Sequence, residues 1–492
     1  MNDFVIPEIT ISQRDLVNAV LLYMACLLVV MVISRCRNWL KAVLWTRGTA
    51  YWLLTVFSVA VFLPAIWETL KVVTGTGNVF DNNPRKYVLL LAAITGPLFI
   101  IWRIYIAQDK SSTAQEESIS ERLAKAVENL GAEPSIIKGA KLPPEQNLKA
   151  KLGAIYSLER IAQESLRDHV KTMEILCTYI RKNSQADTAI SPPERIRISV
   201  AKWRESIPPI GIDIQAAIDV IARRNDAQVL NEISAKYTLD LHACNLQRVH
   251  FQQGKFDLAN MEECHLDFAQ MNSAELNGAV LNRATLNGTN LLEARLNGAE
   301  LNGARLNEAK LDRAELNAAQ CNGAELNGAM LRLGKLNGAV LVGATLNGAD
   351  LNGSAINRAV ANGADFSKAK LNGAELKQAV LNRAIFNAAE LNGAELNRAT
   401  LIRAGLIGAE LNGAKLDGAD FNAAEMTKAA VKSTDLSGAV RLSEAQVNSM
   451  YGDESTSLPA NMMRPNGWLE DDLDYSEFYA FWQAAKEDAG LR

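Results

Sequence analysis

Reactive chemistry requires imidazoles, thiols or hydroxyls at useful spacing, and the chain offers few. Its histidines are His169, His242, His250 and His265. Only one acid–imidazole pair is adjacent in sequence, in Arg167-Asp168-His169. No Ser or Cys stands beside it in a nucleophile motif, so it reads as a helix cap or surface ion pair. The cysteines Cys26, Cys36, Cys177, Cys244, Cys264 and Cys321 form no CxxC pair and no metal-ligand spacing. Scattered free thiols suit a reducing compartment better than a disulfide framework. P-loop, GxGxxG and GxSxG signatures are all missing. No catalytic, cofactor or metal site is therefore expected, and the chain reads as a non-enzyme.

The elements that carry these residues are strongly polarised along the chain. Residues 17–34 form an uncharged stretch just long enough to span a bilayer. Two more follow at about 49–68 and 87–107, several of their ends marked by Tyr or Trp as membrane interfaces prefer. The first loop carries Arg35, Arg37, Lys41 and Arg47, whereas the N-terminal tail has only Arg14. The positive-inside rule then places that loop in the cytoplasm, the N-terminus outside and everything after Lys110 inside. No ionisable residue lies in the middle of a span, which favours an anchor over an ion pathway. Residues 1–110 are thus read as a membrane domain of three helices.

Residues 111–236 read as a soluble helical domain. Apolar residues recur at helical spacing over Ser118–Leu130, Glu145–Glu164 and Arg167–Arg181. Pro192-Pro193 and Pro208-Pro209 break the pattern, and Ile214–Arg224 is a further helix with Asp213 as its expected cap.

From Leu241 to Leu436 an apolar residue recurs at every fifth position without a phase slip. Leu276, Leu296, Leu316 and Leu336 are typical central residues, and Phe366 and Phe386 are two of the aromatic ones. Two places earlier stands a small residue, usually Ala, and one place later usually Asn. A period of five fits neither a helix nor a flat strand. It fits a chain that turns a corner every five residues, so that four pentads make a square coil of 20. About ten coils, stacked at roughly 4.8 Å, give a rod of about 48 Å. The small residue lets each corner close, the central residue fills the interior, and the cysteines at 244, 264 and 321 act as small hydrophobes. Phe366 should stack on Phe386, and Ala361, at a central position, should leave a void unless Phe366 leans into it.

These pentads, such as AELNG at 274–278 and ATLNG at 284–288, resemble the A(D/N)LXX pattern of bacterial pentapeptide-repeat proteins. They depart from it in using Glu as often as Asp before the central Leu. Lys151–Asn183 and Ile212–Asn225 resemble segments that precede the repeats in that family, and Leu442–Trp468 resembles one that follows them. The resemblance implies a right-handed quadrilateral parallel β-helix over 237–441, so the expected fold is N-terminal transmembrane α-helices plus a small α-helical domain, then that solenoid. Residues 442–492 would supply a helical C-terminal cap and an amphipathic helix bearing Phe478, Phe481 and Trp482. Taken with the three spans, the likeness to bacterial proteins gives a bacterial inner membrane as the expected location. Some family members mimic duplex DNA and protect type II topoisomerases, which requires a strongly anionic rod. Here residues 241–440 hold 19 Lys/Arg against 21 Asp/Glu, so mimicry and nucleic-acid partners are disfavoured.

Residues 20 apart should share a face. Glu275, Arg295, Glu315 and Lys335 alternate in sign up one face as a solvated ladder. Val340, Val360, Val380 and Thr400 make an uncharged β-branched stripe on another. It reads either as good strand propensity at exposed sites or as a self-association or partner face. The function expected is a membrane-anchored scaffold that presents a rigid solenoid to a protein partner. The alternative is an oligomeric membrane effector or channel assembled through the solenoid.

Overall fold

In a computed structural model the described residues are 116–131, 136–137, 140–141, 144–192, 200–469 and 471–487, with the single helical positions Arg103 and Ile106. Apart from those two positions, the spans expected at 17–34, 49–68 and 87–107 lie outside them. Among the described residues no helix is long and apolar enough to cross a membrane.

The helical domain begins with α1 (residues 116–131) and a two-residue hairpin, β1 (Ile136–Ile137) against β2 (Ala140–Lys141). Then come α2 (Pro144–Glu164), α3 (Leu166–Asn183), α4 (Val200–Ser206), α5 (Ile212–Ala222) and α6 (Asp226–Ser234). Helix α2 packs on α3 and α5, and α3 packs on α6. Ser165 caps α3 by accepting from the Asp168 amide, and Asn225 closes a capping box with Gln228 on α6. The expected cap of α5 is corrected. Gly211 is its N-cap, and Asp213 lies inside the first turn. The Asp213 carboxylate is engaged instead by the Tyr179 hydroxyl at 2.5 Å and Lys151 Nζ at 3.4 Å.

The repeats coil into a four-sided solenoid. Each side contributes one parallel bridge to the side 20 residues later, unbroken from Asp240↔Asn260 to Asp420↔Val440. The central Leu amide donates to the coil above, as Leu276 to Arg295 O at 2.7 Å, and the preceding amide to the coil below, as Glu275 to Gly254 O at 2.9 Å. Leu276, Leu296, Leu336, Phe366 and Phe386 are completely buried, and Leu316 all but completely. The Phe366 and Phe386 rings, on adjacent coils, stack at 4.9 Å and 4°, and Ala361 is buried. Cys244, Cys264 and Cys321 point inward as buried thiols. Burial pushes the Cys321 thiol up to about 12, in keeping with an inert packing group.

Where the position after the central residue is Asn, it builds a polar ladder. On the side holding Leu276, Asn297 Nδ2 donates to Asn277 Oδ1, Asn317 to Asn297 and Asn337 to Asn317, at 2.9–3.1 Å. Each of these oxygens also accepts the backbone amide above it. Every link therefore donates toward the N-terminal end, and the lowest member needs only to accept. Asp257 occupies that foot, accepting from the Asn277 amide and Nδ2 at 2.7 and 2.9 Å. Asp267 does the same under Asn287 on the opposite side.

Open solenoid ends expose unpaired strand edges, and both ends are closed here. At the first coil the helical domain stands in for a missing turn. Asn245 N donates to Ser184 O at 2.7 Å and Lys255 N to Ala222 O at 3.4 Å. The Gln215 amide serves both the N–H and C=O of His250, at 3.0 and 2.9 Å. Arg224 donates to Lys255 O and to Glu232, whose other oxygen is 2.6 Å from His169 Nε2. All three side chains are buried. The Asp-His pair thus separates: Asp168 sits at the α3 cap, and His169 turns inward to α6. At the far end α7 (Glu444–Ser449) and the segment to Trp468 close the rod, with Val431 N donating to Tyr451 O and Leu436 N to Ser457 O. Helix α8 (Tyr475–Glu487) packs on the rod, Phe478 and Trp482 buried against Ala430 and Trp482 Nε1 donating to Lys428 O at 2.8 Å.

Ladder direction makes an asymmetric prediction. Asn317→Asp removes a donor and sets carboxylate against carbonyl oxygen, and should cost about 1–3 kcal/mol in chemical denaturation. Asp257→Asn keeps the required acceptor and should cost clearly less. At the helical cap, Glu232→Gln leaves buried Arg224 without its counter-ion and should destabilise by about 3–5 kcal/mol. The pair Arg224→Met with Glu232→Leu should recover part of that loss by the same measurement.

Candidate functional site

The solenoid surface is organised by column, and each side of the coil has its own character. The side that includes Leu276 displays Glu275, Arg295, Glu315 and Lys335 as successive bridge partners. Lys335 Nζ is 2.9 Å from Glu315, and Arg295 is 3.9 Å from Glu275. Higher on the same side Glu395 pairs with Lys415 at 2.6 Å and with Lys377. Hydrogen bonds from Lys377 and Lys415 hold the Glu395 carboxyl below the usual range, and bonds from Asn297 and Lys335 do the same for Glu315. All are partly solvated, so their contribution to stability is modest.

The side beginning at Leu241 differs. Val340, Val360, Val380 and Thr400 are consecutive bridge partners, each half-buried. Thr400 Oγ1 is buried without a hydrogen-bond partner, so Thr400 continues the column as a valine isostere. Beside the column lie Val342, Asn362, Asn382 and Ile402. Column reading of the residue before each centre reveals this stripe. It misses the corners two residues after each centre, which frame it. Those corners take positive φ, about 56–60° at Arg358, Arg383, Arg398 and Arg403. The signal for them is a spacing of 20 or 40 read at the corner position.

The histidines do not converge. His169 lies under the helical cap, His242 contacts Asp240, His250 is taken up by Gln215, and His265 contacts Thr285 on the neighbouring coil. Among the described residues no group of His, Cys, Asp or Glu could hold a metal ion.

The partners of Glu315 and Glu395 fix the sign of a pH effect. Carboxyls with folded pKa below the unfolded value stabilise fully above the ordinary carboxylate range, and that contribution is lost as pH falls through the folded value. Thermal midpoints of the parent and Glu395→Gln should therefore differ at neutral pH and converge in acid.

Residues 244–283, 279–317, 324–360, 362–398 and 404–440 match the model of pentapeptide repeats. Among curated proteins none matches. Several solved structures are similar. The crystal structure of HetL, a pentapeptide repeat protein involved in heterocyst differentiation regulation from the cyanobacterium Nostoc, is 28% identical over 42% of this chain and 97% of its own, with a TM-score of 0.34. QnrB1, a plasmid-mediated fluoroquinolone resistance protein, is 15% identical over 38% of this chain and 88% of its own, with a TM-score of 0.24. A pentapeptide repeat protein from the Arabidopsis thaliana thylakoid lumen is 31% identical over 18% of this chain and 61% of its own, with a TM-score of 0.15. With its five-residue corners, inward Leu and Ala and family match, the repeat region of this chain belongs to the pentapeptide repeat family.

Proposed function

We propose that this chain is a non-enzymatic scaffold that presents its solenoid to a protein partner at the cytoplasmic face of a bacterial inner membrane, anchored by residues 1–110. The observation that carries the scaffold reading is the uninterrupted 20-residue register, which holds outward side chains in fixed columns along the rod. Fixed columns on a hydrogen-bonded frame form a pre-organised binding surface, so association loses little conformational entropy. The anchor rests on the three apolar stretches of the sequence. Duplex mimicry is not adopted, because Arg295, Lys335 and Lys415 neutralise the carboxylates of their own face.

Protease accessibility tests the arrangement. In spheroplasts of cells expressing the full chain the solenoid should survive added protease, and in inverted membrane vesicles it should be digested. Digestion in intact spheroplasts, or recovery of the chain in the soluble fraction, overturns the membrane placement.

A further inference from the structure

The β-branched column runs up a side of the rod that carries no acidic residue over four coils. The successive stretches are GAVLVG at 338–343, RAVANG at 358–363, QAVLNR at 378–383 and RATLIR at 398–403. Their centres and small residues point inward, which leaves valines, Thr400, Ile402 and asparagines outward. Arg358 and Arg398 stand at the corner where the side begins, and Arg383 and Arg403 at the corner where it ends. All four are exposed. Arg358 Nε reaches Gln378 at 3.1 Å, and among the described residues none of the four forms an ion pair. Elsewhere on the rod Arg283, Arg313, Arg332, Lys335 and Lys415 each have a carboxylate, whereas Lys310, Lys368 and Lys370, like the four arginines, have none among the described residues. An uncharged strip is thus framed on both edges by guanidinium groups without counter-ions, in a left-handed conformation in which an arginine costs about 1–2 kcal/mol and glycine nothing.

The geometry points to an acidic protein partner: we propose that this face docks an amphipathic helix whose apolar stripe lies on Val340, Val360, Val380 and Thr400 and whose flanking carboxylates meet Arg358 and Arg398 on one edge and Arg383 and Arg403 on the other. The inference rests on the scaffold reading and names its face. A helix presents an apolar stripe between polar flanks, which is the pattern complementary to this side. Its turns repeat every 5.4 Å, close to the roughly 4.8 Å between coils, so successive turns meet successive valines. A second copy of this chain fits badly. Two identical faces brought together about a two-fold axis in the contact plane set arginine edge against arginine edge, whether the axis runs along the rod or across it. A nucleic acid would satisfy the arginines but would lay phosphates over the valine column, desolvating both without return.

The test uses the full chain in detergent and a labelled helical peptide of about 18 residues, long enough at roughly 1.5 Å per residue to cover the column. The probe carries leucine along one stripe and glutamate on both flanks. One control replaces the flanking glutamates with lysine, and another replaces the stripe leucines with serine. Fluorescence anisotropy should show binding of the first peptide only, weakening as salt is raised. Substituting R358Q, R383Q, R398Q and R403Q together, or Val360→Glu alone, should weaken it by at least about tenfold. Unchanged binding by the quadruple variant, equal binding of the lysine peptide, or tighter binding of duplex DNA or anionic vesicles overturns the proposal. Circular dichroism of each variant checks that the solenoid is intact.

A second measurement separates this face from the scaffold reading. A photo-cross-linking residue is placed in cells at Val360, Ile385, Lys370 or Ala355, one on each side of the rod. Protein adducts from position 360, together with the peptide result, support the inference. Adducts only from the other sides overturn the docking face and keep the scaffold, and no adduct from any side sinks the scaffold reading itself.

Discussion

The parallel pairing of each residue with the one 20 places later governs everything else in the rod. Backbone amides point alternately to the coil above and the coil below, so a coil is satisfied only between two neighbours. That requirement makes the structure quasi-one-dimensional: stability accumulates by adding coils, and the ends must be closed by something else. Side-chain columns follow from the same pairing. Asn stacks on Asn, Phe366 on Phe386 and valine on valine because the backbone leaves them no other neighbour.

Closure at the two ends uses different chemistry. The C-terminal segment continues the solenoid's own pattern with main-chain bonds at Tyr451 and Ser457, after the register has slipped by one and two residues. The N-terminal end faces helices, which cannot offer a strand edge. Side chains substitute: Gln215 imitates a peptide group for His250, and Arg224 caps Lys255 O while buried beside Glu232. His169 completes that cluster at the expense of an unpartnered Nδ1. Buried polar groups of this kind specify how the helical domain meets the first coil more than they add stability.

Much of this was legible in the sequence because a period of five survives without interruption. Which residues face inward, which stack and where the coils end all follow from counting. Side columns were readable in the same way, which is how Val340, Val360, Val380 and Thr400 emerge. Three features were not. The cap of α5 goes to Gly211 because Asp213 is drawn to Tyr179 and Lys151, contacts 34 and 62 residues distant that no local pattern encodes. The His169–Glu232–Arg224 cluster joins residues from two helices and a loop, so spacing carries no trace of it. The arginine frame was hidden because its members belong to two different corners, separated by 40 residues on one edge and 20 on the other.

The common direction of the asparagine ladders gives the rod an arrow, and the 20-residue register gives it a gearing. Excising or duplicating four pentads would shorten or lengthen the stack while leaving every later side chain on its original side. Excising a single pentad would keep the core pattern of Leu and Ala intact yet turn everything distal by a quarter of a revolution. Arginines and valines now aligned up one side would then be divided between two. Variation in the number of pentads is therefore nearly free for the fold, whereas its remainder on division by four decides which surfaces remain continuous.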